Sequence, residues 1–208
     1  EFLRNASAAQ PLVLHLDEDH ASLYVDLSGE ALFKRGWRGA AADKGEAPLK
    51  ETLAAAMLAA AGWRGEAADG LLLDPCCGAG TIPIEAAQIA CRVAPGLARR
   101  FAFEQLGPFR DQLGVWREMQ SAARARVRRA PVPIHAGDVS FRMTDFATRN
   151  ADRAGVGEAI RFKAGDALQR PPPAPSGTLM LNPPYGERLA PKGRGSARPP
   201  SPQRDDRL

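Results

Sequence analysis

The apolar positions of this chain change period several times, and each change predicts an element. "LVLHL" (12–16) and "SLYVDL" (22–27) alternate apolar and polar residues around "DEDHA", which predicts a β-hairpin with an acidic turn. "LFKRGWRGAAADKGEAP" follows as a Gly-punctuated loop. In "LKETLAAAMLAAAGW", Leu49, Leu53, Met57 and Ala60 recur at helical spacing, and Gly62 is placed to stop the helix. Leu71 to Leu73 then form a short unalternated run, the pattern of a strand buried on both faces. A Gly-bearing loop leads from it into a helix from about Thr81 to Arg92, with Pro83 tolerated in the first turn. Residues 93–131 read as helix and loop. "VPIHAGD" (132–138) is a second strand, "FRMTDFATRNADRAG" an amphipathic helix ending at Gly155, and "AIRFKAGDA" a third strand. A Pro-rich loop (171–175) precedes the fourth, "GTLMLNPPY".

Strands alternating with helices predict an α/β fold, with a largely parallel sheet covered by helices on both faces and preceded by the hairpin. Three regions are expected: 1–62, the hairpin and lead-in helix; 63–189, the core that carries the sheet; and 190–208, a basic Pro/Gly-rich tail without periodicity, expected to be disordered. In such sheets ligands bind outside the carboxyl ends of the strands. The unusual residues fall there: Asp74 to Gly80, Asp138, Asp166, and Asn182 to Tyr185.

Composition narrows the class. No run approaches the roughly 20 apolar residues that cross a bilayer, so no membrane partner is expected. "EFLRNASAAQ" has neither an initiator Met nor a signal pattern, and is read as a cut inside a longer protein. Cys76, Cys77 and Cys91 make no C-x-x-C pair and have no nearby His, so no metal site is expected. Reduced thiols in a cytoplasmic protein fit better than disulfides. Of the net charge of +4, most lies after residue 189, where five basic residues face two acidic ones. The high charge balance is therefore weak evidence for nucleic acid. Arg124, Arg126, Arg128 and Arg129 end a helix, either as a solvated face or as an RNA-facing patch.

The loop "DPCCGAGT" carries the chemistry. A phosphate-cradling loop would end in Gly-Lys-Ser/Thr, and there is no Lys. A nicotinamide fingerprint would place a small residue where Pro83 stands and an acid about 20 positions on, and residues 93–103 hold none. What remains is a loop whose glycines permit close backbone approach, with acids at successive strand ends. Each acid alone would more often be a turn or cap residue. Together they suit S-adenosylmethionine: Asp74 near a cationic amino-acid moiety, Asp138 for ribose hydroxyls, Asp166 for an adenine amine. The amides at Gly80 and Thr81, at a helix N-terminus, would favour its carboxylate.

"LDPCCGAGTIPIEAA", "GDA" and "NPPYGERL", in that order, resemble a class I methyltransferase of the exocyclic-amine group, with its Rossmann-like fold. "LSGEALFKRGWR", "EAPLKETLAAAML" and "FAFEQL" resemble a narrower family, the bacterial large-subunit rRNA guanine-N2 methyltransferases that carry an N-terminal THUMP domain. The likeness runs from about Leu12 to Leu189. It implies S-adenosyl-L-methionine held by Asp74, Cys76, Gly78, Gly80, Thr81, Asp138, Asp166, Ala167 and Asn182. It also implies a target amine held by Asn182, Pro183 and Tyr185. The family's usual loop has Phe or Met where Cys76 stands, a small apolar exchange. The implied partner is 23S rRNA, with further strands after the NPPY turn and, in some relatives, a second methyltransferase domain in the parent chain.

The chemistry explains the turn. A purine's exocyclic amine is a poor nucleophile, because its lone pair is delocalised into the ring. Asn182 Oδ1 and the Pro183 carbonyl can each accept one N–H and orient that lone pair, and proline brings no competing donor. Tyr185 can stack on the base. Two other readings stand beside this one: an adenine-N6 DNA or protein glutamine-amide methyltransferase with the same turn, and a non-catalytic RNA-binding fragment.

Overall fold

The structure is a computed structural model that describes residues 12–38 and 48–183. The expected tail, with Pro184 and Tyr185 of the NPPY turn, lies outside the described residues.

The hairpin forms as the alternation requires. β1 (Leu12–Asp17) pairs antiparallel with β2 (His20–Val25) in the register Leu12↔Val25 to Asp17↔His20, and Glu18 in the turn adopts φ 47°. Both of its faces are exposed.

The core is an α/β unit. Its elements are α1 (Glu51–Ala60), β3 (Leu72–Asp74), α2 (Thr81–Ala90), α3 (Leu113–Ala125), β4 (Ile134–Asp138), α4 (Phe141–Arg153), β5 (Ile160–Ala164) and β6 (Thr178–Leu179). The sheet order is β5-β4-β3-β6, and every pair is parallel. From β3 the chain steps outward through β4 to β5, then returns to place β6 on the other side of β3. The strand order therefore reverses between β3 and β6, where an open parallel sheet leaves a crevice at its carboxyl edge. The fourth strand is shorter than the sequence suggests: two residues carry ladder pairing, and the chain beyond Leu179 runs on as irregular backbone.

The core packs Leu72, Ile134, Ala136 and Ile160 of the sheet against Ile84, Ala87 and Ala90 of α2 and Ala147 and Ala151 of α4. The small residues let the helices approach closely. At Gly80, φ is 90°, and an added Cβ would sit 3.0 Å from the Ala147 Cβ. In α1 the buried face is Glu51, Ala54 and Leu58, about one position round from the stripe of Leu49, Leu53, Met57 and Ala60; Leu53 is exposed. Helix rotation follows Glu51, which Arg38 draws inward through an Nε–Oε1 contact of 2.6 Å.

Residues 26–38, which take in the start of the expected Gly-punctuated loop at Leu32, form a strap tied to the core by cations. Trp37 is 1% exposed and joins the main cluster. Arg99 donates to four carbonyls of the strap: Ser28, Glu30, Ala31 and Lys34. Arg35 makes two bonds of 3.1 Å to the Glu85 carboxylate of α2, and Arg153 of α4 donates to the Trp37 carbonyl.

Candidate active site

Every expected cofactor residue that the structure describes lies at the carboxyl edge of the sheet or in the loop joining β3 to α2. Asp74 ends β3 and is 1% exposed; its Oδ1 accepts from the Cys76 amide at 3.1 Å. The loop then crosses toward β4. The Cys77 amide donates to the Gly137 carbonyl at 2.7 Å, and the Gly78 amide to Asp138 Oδ2 at 3.0 Å. From α4, the fully buried Asn150 donates through Nδ2 to the Ala79 carbonyl at 2.9 Å. The loop is thus held from β3, β4 and α4.

Three amides at the start of α2 have no acceptor among the described residues, those of Ala79, Thr81 and Ile82. The Gly80 amide, expected to face a carboxylate, instead donates to the Cys77 carbonyl at 2.8 Å, because the left-handed turn at Gly80 folds it back. Gly78 also has positive φ, 53°, and a Cβ built there would meet nothing within 4 Å. Its backbone therefore borders open space. The Thr81 hydroxyl donates to the Leu49 carbonyl and accepts from Arg38 at 2.8 Å, so Arg38 links strap, α1 and α2 at this point.

The acids differ in their surroundings. Burial pushes the Asp74 carboxyl up to about 7, and the negative charge of Asp138 adds to the rise, while the Cys76 amide opposes it. Asp138 accepts from Gly78 and, through Oδ1, from the Ser140 amide at 2.9 Å. Asp166 caps the turn that contains Ala167, accepting from the Leu168 amide and from Gln169 Nε2 at 2.9 Å each. A carboxylate offers roughly four lone-pair sites, so Asp138 and Asp166 each keep acceptor capacity. The thiols of Cys76 and Cys77 are raised, mainly by burial, so neither is a thiolate nucleophile.

β6 brings in the remaining residues. Leu73 pairs with Leu179, and the Met180 amide donates to the Leu73 carbonyl at 2.9 Å. Asn182 and Pro183 follow just past this tip, next to the strand that ends in Asp74; Asn182 is half-buried and Pro183 exposed.

The arginine run lies elsewhere. Arg128 donates to the Ala90 carbonyl at 3.0 Å and pairs with Glu66 at 2.9 Å, at the far end of α2 from Thr81. It is a structural clamp, away from the carboxyl edge. Among the described residues no group of three His, Cys, Asp or Glu could hold a metal, and no helix is long and apolar enough to cross a membrane.

The donor set fits a ligand with an ammonium, a carboxylate and vicinal hydroxyls: a buried acid, unengaged amides, a second acid and a loop open at Gly78. Residues 35–197 match the family described as UPF0020, RMKL-like, methyltransferase domain. The chain belongs to this family. It is 47% identical over 180 residues to the ribosomal RNA large subunit methyltransferase K/L of Shewanella baltica strain OS185, covering 84% of this chain and 24% of the relative. With the protein of the same name from Shewanella sp. strain ANA-3 it shares 43% over 201 residues, 89% of this chain and 27% of the relative. The chain thus spans about a quarter of the length of these curated relatives. Among solved structures it resembles SMU.472 in complex with SAH (TM-score 0.74, 35% identity, 87% of this chain and 45% of that one). It also resembles a predicted N6-adenine-specific DNA methylase from Listeria monocytogenes (TM-score 0.74, 38% identity, 86% and 45%).

The glycine pattern of the loop and the position of the acids at strand ends made both legible in the sequence. The strap was not. Its signal was present in "FKRGWR" and in Glu85, a lone acid within the apolar helix "IPIEAAQIA". A charge on an otherwise buried face calls for a partner of opposite sign.

Proposed function

We propose that this chain binds S-adenosyl-L-methionine and belongs to an enzyme that methylates the exocyclic N2 amine of a guanine in 23S rRNA, in the cytoplasm, during ribosome biogenesis. The observation that carries the reading is the meeting of the Asp74–Thr81 loop, Asp138 and the Asn182-Pro183 corner at the strand-order reversal. The names of the curated relatives support rRNA as the substrate class, and the SAH complex of a similar structure supports the cofactor.

When bound, the cofactor supplies an electrophilic methyl group on a cationic sulfur. Asp74 would hold the ammonium, and an adjacent cation would return its carboxyl to the ionised form. Ala79 and Thr81 amides would receive the carboxylate, Gly78 would let the chain pass close to the nucleoside, and Asp138 would accept from the ribose. Asp166 and Ala167 would border the adenine. Asn182 Oδ1 and the Pro183 carbonyl would accept the two N–H bonds of the target amine, and Tyr185 would stack on an unstacked base. Little new charge develops, so positioning accounts for most of the rate.

The relatives' greater length leaves room for a THUMP domain and a second methyltransferase domain in the parent chain. The similarity to the Listeria protein, a predicted N6-adenine-specific DNA methylase, favours a second reading, adenine-N6 methylation of DNA. Full-length protein with labelled cofactor, offered undermethylated large-subunit rRNA, DNA and a glutamine-bearing protein, separates them. N2-methylguanosine in the rRNA digest is expected, and label confined to DNA or protein would overturn the reading. Asn182→Ala should abolish methylation and leave SAH binding intact.

A further inference from the structure

At the opposite end of α2 from the carboxyl edge, a cavity of about 220 Å³ opens between the C-terminal ends of α2 and α4. Arg35, Gln88, Pro95, Leu97, Val127 and Gly155 line it. Gln88 is 6% exposed, and its side-chain amide has no hydrogen-bond partner among the described residues. Solvent reaches this amide, so it can both donate and accept toward a ligand in the cavity, and a matching partner offers both an acceptor and a donor. Around Val127 stand Arg124, Arg126 and Arg129. All three are exposed, and their guanidinium groups make no ion pair or hydrogen bond among the described residues. Glu66, the partner of Arg128, is also paired with Arg92.

We propose that this cavity and its arginines form a second RNA-binding site that takes one unstacked nucleobase. The site rests on the rRNA reading above but uses none of the catalytic residues. A nucleobase edge presents donor and acceptor side by side, which a Gln amide matches in a bidentate pair. Its flat faces suit the apolar walls of Pro95, Leu97 and Val127, and the neighbouring phosphates suit the three unpaired guanidiniums. An apolar peptide segment would fill the space but leave both the amide and the arginines without partners. α2 has ten residues and is therefore ~15 Å long, so the base held here is not the one methylated but one displaced along a folded rRNA.

The test uses the full-length protein and an undermethylated large-subunit rRNA transcript, with binding measured across a salt series. Replacing Arg124, Arg126 and Arg129 together by Gln should flatten the slope of log affinity against log salt by about 2–3, since each phosphate contact contributes roughly 0.7–0.9. Gln88→Met should weaken rRNA binding about tenfold, the equivalent of one lost hydrogen-bonded pair. Neither change should alter the heat of SAH binding. A thiouridine-substituted transcript should crosslink to the 93–98 or 124–129 segment. Wild-type affinity and slope in both folded variants, or crosslinking of this cavity to a protein segment instead, would overturn the proposal. If Gln88→Met lowers stability, the three surface substitutions still decide. A protein that methylates only DNA yet crosslinks rRNA here would sink the substrate reading and leave this site standing.

Discussion

Replacing Asp74 by Asn should stabilise the ligand-free protein while removing its affinity for cofactor. Asp74 is 1% exposed and its carboxyl is raised to about 7 from an ordinary 3.8, chiefly by burial and then by the charge of Asp138. Between those values the native state holds a proton that the unfolded state has released. Stability therefore falls as pH rises from about 4 to about 7 and levels off above that. A shift of roughly three units corresponds to about 4 kcal/mol at most, at ~1.4 kcal/mol per unit. Asn keeps an oxygen for the Cys76 amide and carries no charge, so the variant lacks this pH-dependent loss. Urea denaturation without ligand should show near-equal stability at about pH 4, with the variant ahead by about 2–4 kcal/mol at about pH 8. SAH titrated into the same samples should show binding weakened at least about a hundredfold, as an ammonium loses its charged partner. A stability gap that stays constant with pH would refute the account of a carboxyl kept protonated by burial.

Arg38→Met should cost about 3–5 kcal/mol, because it leaves the Glu51 carboxylate, 2% exposed, buried without its cation. The double variant Arg38→Met, Glu51→Leu should recover most of that loss in urea denaturation, and a strictly additive pair would contradict the coupling. Gly80→Ala places a side chain at φ 90° and its Cβ 3.0 Å from that of Ala147, so a loss of about 2–3 kcal/mol is expected, together with weaker SAH binding by calorimetry. An unchanged melting temperature would show that the loop adapts freely.

Much of this architecture was legible because period and burial agree. Leu72 and Ile134 lie in short apolar runs that become β3 and β4 in the middle of the sheet, and Gly62 and Gly155 end helices with φ of 73° and 71°. The acids at the strand ends could be picked out because buried parallel strands carry few charges. Two things could not be read. The shortness of β6 depends on how far its neighbour β3 extends, and no local pattern encodes that. The strap is irregular and has no period; Trp37 is buried because Arg35, Arg38, Arg99 and Arg153 anchor its surroundings across separations of up to 116 residues. The Gly80 amide was misassigned for a related reason, since a glycine's sequence position does not reveal which way its peptide turns.

The strap also bears on how the loop works. Asp138, Asn150 and the Gly137 carbonyl hold residues 77–79 through bonds within the protein, and a loop fixed this way loses less freedom when it binds. Arg38 reaches the Thr81 hydroxyl at the start of α2, and Arg35 grips Glu85 one turn further along the same helix. A shift of the strap would therefore move the N-terminus of α2, whose Thr81 amide is among the few unengaged donors of the site. The strap leads directly back to the hairpin, whose strands expose Leu14, Leu16 and Leu23. The strap is thus joined to α2 by the Arg35–Glu85 ion pair and the Arg38–Thr81 hydrogen bond, and to α1 by the Arg38–Glu51 pair.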